Sequence, residues 1–220
     1  MNPHDKGSAN AQDKNSINPH DATYKAFFGY EEMVVSLLRG FVKKDFVADL
    51  DLSSLVHCDG EYITNDLRKR MGDCVWRITW RGQTSYLWLI LEFQSTPDPW
   101  MPVRIMVYTG LLWQDLIKTG ALHPGEALPP VFPVVIYNGT REWKTPLAVE
   151  EMCASVPAGL QPYRSGMKYF LLDEKHCGEA ADEGNLFSFM VRLERARTPE
   201  EIRSVLVPLR QRLPNENFPS

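Results

Sequence analysis

The stretch LWLILEFQST, residues 87–96, constrains this chain more than any other part of it. It starts as an unbroken apolar run with the composition of a buried strand, then places Glu92, Gln94 and Ser95 within four positions. A carboxylate at the mouth of such a strand is costly unless something neutralises it. Upstream, DCVWRITW (73–80) reads as a second strand, separated from the first by RGQT. With Gly82-Gln83 as a two-residue hairpin loop, glycine at the first central position suits a type II′ turn and Arg81 faces Thr84. Counting back along both strands sets Asp73 across from Glu92, with Cβ atoms roughly 4.5–5.5 Å apart. The strand period of two puts Glu92 and Gln94 on one face and leaves Cys74, Trp76, Ile78, Leu87, Leu89 and Leu91 on the other, the apolar one.

Two carboxylates facing each other across a sheet repel, and a divalent cation removes the conflict. Mg²⁺ takes carboxylates, a backbone carbonyl, waters and a substrate phosphate oxygen. Asp73, Glu92 and the carbonyl of Phe93 would supply half of such a shell, leaving room for a hydrolytic water and a scissile phosphate. Gln94 carries no charge but donates and accepts hydrogen bonds, so it would orient that water or phosphate. The structural alternative is a strand-start cap at Asp73 and, at Glu92, an edge carboxylate paired with arginine. Arg104 and Tyr108, at i and i+4 on a helix, share a face and would reach toward the carboxylates or a phosphate, or Arg104 would simply brace Glu92. Lys25 lies about one helical turn after Asp21, a helix cap, and is either a phosphate contact or a solvated lysine. Arg68, Lys69 and Arg70, with Arg77 and Arg81 beyond, form a local basic concentration suited to a DNA backbone.

The remaining sequence reads as one α/β domain. Residues 1–18 hold a single large aliphatic side chain and are expected to be a disordered tail. Two helices follow, short then longer, with a break at Gly29 and apolar Met33, Leu37, Leu38 and Phe41 at helical spacing. SLVHC (54–58), VFPVVIYNG (131–139) and MKYFLLD (167–173) are further strands, and the last of these is the weakest. Asp98 and Pro99 open a long helix that closes at Gly120, Tyr137 to Gly139 end a strand in a turn, and residues 183–209 are helical. The expected divisions are a core over 19–145, a strand and helices over 146–213 that complete the same domain, and a frayed tail over 214–220. Four cysteines without a CxxC spacing and no apolar run of about twenty residues indicate a reduced, cytoplasmic setting with no membrane. A net charge of -4 argues against a protein that coats nucleic acid non-specifically, though not against an enzyme that touches it through one basic face.

HDATYKAFF (20–28), DLRKRMGDCVWRI (66–78), LILEFQS (89–95), WMPVRIMVY (100–108) and PPVFPVVIYNGTREW (129–143) together resemble the recombination-promoting nuclease, putative transposase (YhgA-like) family of the PD-(D/E)XK nuclease superfamily. The resemblance implies a restriction-endonuclease-like core, a mixed central sheet flanked by helices, with a helical C-terminal extension. It also implies Mg²⁺-dependent cleavage of DNA, a link to recombination or mobile DNA, and an active site on Asp73, Glu92 and Gln94. Many nucleases of this superfamily act as dimers, so a homodimer is compatible with it. Three departures stand out: Gln94 replaces the superfamily's usual lysine, Phe93 stands where the family often has histidine, and the C-terminal helical region is short. The replaced lysine, the short C-terminal region and the acidic balance motivate a second reading, a non-catalytic DNA-binding or protein-interaction module on the same fold.

Overall fold

In the computed structural model the described residues are 24–58, 74–80, 86–178 and 184–212, with 210–212 described as backbone only. After a helical turn at 24–27 come α1 (Glu31–Phe41), β1 (Leu50–His57), β2 (Cys74–Trp80), β3 (Tyr86–Gln94), α2 (Met101–Lys118), β4 (Val131–Tyr137), β5 (Phe170–Asp173), α3 (Leu186–Arg195) and α4 (Pro199–Arg212). The sheet order is β1-β2-β3-β4-β5; the first three strands run antiparallel, and β4 and β5 join β3 in parallel. This mixed sheet flanked by helices is compatible with a restriction-endonuclease-like fold.

The β2–β3 register agrees with the count made through RGQT: six pairs run from Thr79↔Tyr86 to Cys74↔Leu91 without a bulge. The Gly82-Gln83 loop and Asp73 themselves lie outside the described residues, as do residues 1–18, His20, Asp21, Arg68, Lys69, Arg70, Arg81 and the tail 214–220. Among the described residues no helix is long and apolar enough to cross a membrane.

One expectation is corrected. Glu92 does not lie on a polar face opposite an apolar one, because β3 is buried without interruption from Leu87 to Phe93. Leu87, Leu89, Leu91 and Phe93 join the core formed with α1 and α3, while Trp88 and Ile90 pack with Met101, Ile105, Tyr108 and Leu112 of α2. A parallel β3–β4 pair needs a crossover, and the crossover helix α2 covers the face that alternation alone would leave to water. Glu92 therefore ends an apolar row beneath a helix.

The helix boundaries also move. α2 starts at Met101 with Pro102 in its first turn, not at Pro99, because Asp98 Oδ1 accepts the amide N–H of Trp100 and forms the turn ahead of the helix. It closes as expected at Gly120, whose φ of 75° suits glycine. The C-terminal helical stretch breaks into α3 and α4 at Ala196–Thr198. There Thr198 Oγ1 accepts the Glu201 amide while Glu201 Oε2 accepts that of Thr198, a reciprocal cap ahead of Pro199.

Candidate active site

Glu92 is 1 % exposed at the carboxyl end of a central strand, and its charge is met by α2. Arg104 pairs through Nη2 with Glu92 Oε1, and Gln94 Nε2 donates to the same oxygen at 2.8 Å. Nη1 of Arg104 bonds Asp98 Oδ2 at 2.9 Å, and its Nη2 and Nε donate to the Tyr108 hydroxyl at 2.9 and 3.3 Å. Burial pulls the guanidinium pKa down, but the Glu92 charge and the bonds to Asp98 and Tyr108 outweigh it and leave the group above its ordinary value. The cation is permanent. About a third of the Arg104 side chain, 36 %, still faces water.

Arginine therefore neutralises Glu92 here, the structural alternative raised by the sequence. Of the residues expected at a site, the structure brings Glu92, Gln94, Arg104 and Tyr108 into one hydrogen-bonded group. Tyr108 is buried, and its part is to hold Arg104. Lys25 belongs to the segment at 24–27, whose Lys25 carbonyl accepts from Cys74 Sγ at 3.8 Å; this sets the segment against the start of β2, at the Glu92 end of the sheet. Arg77 sits over the ring of Tyr86 at 4.2 Å. The positions of Asp73, Arg68, Lys69 and Arg70 are not described.

The expected cation can be tested against the donors. The amide of Trp88 and the carbonyl of Gln94 both bond toward the β4 side, so alternate residues of β3 face that way and Phe93 directs its carbonyl toward β2. Glu92 and that carbonyl are hard oxygen donors of the kind Mg²⁺ takes. Among the described residues no three His, Cys, Asp or Glu side chains form a group able to hold a metal. Glu92 and the Phe93 carbonyl would supply two oxygen donors to a cation, which would require a further carboxylate, for which Asp73 is the candidate.

Sequence reading missed two things. The sequence predicts a helix cap at Asp98, but its carboxylate also fixes Arg104, six residues on, through a turn that the local pattern does not reveal. A second cluster joins Tyr24, Glu174 and Glu194, which are far apart in sequence. The Tyr24 hydroxyl lies 2.5 Å from Glu174 Oε1 and 2.6 Å from Glu194 Oε2. One phenol proton cannot be donated to two carboxylates, so one carboxyl keeps its own. Burial of Glu174, countered by the Tyr24 bond and reinforced by the Glu194 charge, pushes its pKa up to about 8. The Tyr24 phenol is raised too, chiefly by burial. Its ring packs on Phe93 at 5.4 Å, and Phe28 does so at 5.2 Å, tying this cluster to the strand that carries Glu92.

Residues 18–196 match the family described as "Putative transposase, YhgA-like". Recombination-promoting nuclease RpnD of Escherichia coli O157:H7 is 29% identical over 123 residues, 56% of this chain and 46% of that protein. For recombination-promoting nuclease RpnA of Escherichia coli K12 the identity is 27% over 126 residues, 57% of this chain and 42% of that protein. The chain also matches the "Putative inactive recombination-promoting nuclease-like protein YjiP" of the same strain, 29% identical over 91 residues, 41% of this chain and 88% of that protein. The chain thus spans less than half the length of the two nucleases. No solved structure matches it.

Proposed function

The chain belongs to the YhgA-like putative transposase family, and on that premise we propose that it is a divalent-metal-dependent DNA endonuclease acting in recombination or on mobile DNA. The observation that supports this best is Glu92, a carboxylate buried at the end of a central strand, beside a register in which Asp73 and Glu92 are the next expected pair. Glu92, Asp73 and the Phe93 carbonyl would hold the cation, for which Mg²⁺ suits an all-oxygen set. When bound, the cation supplies a water of lowered pKa and offsets charge on the phosphate as the bond breaks. Gln94 keeps Glu92 oriented through Oε1 and presents its amide to the water or the phosphate. Arg104 spans the buried carboxylate and the solvent, so its exposed third can pair with a phosphate oxygen while Tyr108 and Asp98 hold it in place. Lys25, and Arg68, Lys69 and Arg70 on the polar connection ahead of β2, would add backbone contacts to DNA.

A second reading is favoured by the Arg104–Glu92 pair, which already neutralises the carboxylate, and by a relative named as inactive. In it the chain is a DNA-binding or protein-interaction module without catalysis. Incubating the chain with supercoiled DNA and Mg²⁺, beside Glu92→Ala and Asp73→Ala, separates the two. Nicking by the parent alone is expected, abolished by EDTA; equal nicking by all three refutes the assignment, and none by any of them leaves the second reading standing.

A further inference from the structure

Trp100 is 64 % exposed, although it stands one helical turn before Arg104. The Trp100 backbone is held by a built turn. Asp98 Oδ1 accepts the Trp100 amide at 2.8 Å, the Asp98 carbonyl accepts the Met101 amide at 3.2 Å and the Thr145 hydroxyl at 3.0 Å, and the Trp100 carbonyl accepts the Arg104 amide at 3.0 Å. The other oxygen of the same Asp98 carboxylate holds Arg104, which holds Glu92. The backbone that carries an exposed indole is thus anchored to the carboxylate at the strand end through one aspartate and one arginine.

Charge bears on what that ring meets. The chain is net negative by -4, and Arg104 is shared between two carboxylates, so its phosphate contact is partly offset and a second, uncharged contact to the nucleic acid adds to it. Stacking on an aromatic ring is a contact that needs no charge of its own and is made with any base, because every base has a π-face. In an intact duplex both faces of every base are already covered, so an exposed indole finds a base only where one is unpaired or displaced.

We propose that Trp100 is a base-stacking platform beside the Glu92–Arg104 site, and that the substrate is DNA with unpaired bases near the scissile phosphate, either a single strand or a locally opened duplex. This rests on the nuclease reading above and adds the substrate class to it. Trp100 is a specificity-determining residue, and its removal leaves the Glu92 ion pair in place.

The test is fluorescence anisotropy with the full chain in EDTA, where no cleavage occurs, using a labelled single-stranded oligonucleotide and the blunt duplex of the same sequence. The parent is expected to bind the single strand more tightly than the duplex. Trp100→Ala is expected to weaken single-strand binding by roughly 5- to 150-fold, the range for loss of one stacked base, with little change for the duplex. Trp100→Phe should retain most of the affinity. Equal single-strand binding by the parent and Trp100→Ala overturns the platform, while Mg²⁺-dependent nicking in the earlier assay leaves the nuclease reading intact. If the parent binds neither DNA, the platform falls, and the Mg²⁺-dependent nicking assay decides the nuclease reading separately. A Trp100-dependent preference for duplex overturns the substrate class. Loss of self-association in Trp100→Ala with unchanged DNA binding would reassign the ring to a protein contact and overturn the proposal.

Discussion

Replacing Arg104 with methionine keeps most of the side-chain volume and removes the cation, and the cost can be worked from the contacts. Glu92 would be left 1 % exposed, with the Gln94 bond at 2.8 Å facing a full negative charge. Breaking a buried ion pair from one side typically costs about 3–5 kcal/mol. Because Arg104 keeps 36 % of its side chain in water, screening trims that to about 2–3 kcal/mol. For a chain of this size that is a fall in Tm of about 4–12 °C. Urea unfolding of the parent, Arg104→Met, Glu92→Gln and the double variant checks it. The double variant should recover much of the loss, since the glutamine amide leaves no buried charge to compensate. If Glu92 also binds a cation, Mg²⁺ should raise the Tm of Arg104→Met more than that of the parent and leave the double variant unmoved. An Arg104→Met protein within about 0.5 kcal/mol of the parent would refute the dependence of Glu92 on Arg104. So would a double variant no more stable than Arg104→Met.

Glu174 predicts a pH dependence. A carboxyl raised from an ordinary value near 4.5 to about 8 in the fold contributes fully below the lower value, and its contribution is lost as pH rises through the upper one. The groups around it are Tyr24, Glu194, Arg195, Asp173 and Cys177. Tm should therefore fall between about pH 4.5 and pH 8, and Glu174→Gln, which can still accept from Tyr24, should flatten the fall; parallel curves for the two proteins would contradict the shared-proton cluster. At Gly139 an added Cβ would collide with the Ser95 carbonyl oxygen and the Tyr137 ring, just beyond the ends of β3 and β4. Gly139→Ala should lose about 2 kcal/mol in urea unfolding, and an unchanged midpoint would show that the two segments separate freely.

Local rules carried the sequence reading a long way at β2 and β3. Alternation, a Gly-led turn and simple counting fix which residues pair, because a one-residue slip would move every side chain to the wrong face. That register was legible, and so was the placement of Glu92 and Gln94 together at the strand end. The family motifs were legible too, since they lie in short contiguous stretches.

Tertiary structure decided what the sequence left open. Whether the second face of β3 is polar depends on the parallel partner β4 and the crossover helix α2, neither of which appears in the local alternation. What neutralises Glu92 depends on the same helix, because Arg104 arrives from twelve residues away and is aimed by Asp98 and Tyr108. Tyr24 and Glu174 are 150 positions apart, and only the closed fold brings that phenol between two carboxylates. Periodicity specifies strands and their pairing because those energies are local and repeat along the chain. The partner of a buried charge is set by distance in space, which the chain acquires only on folding.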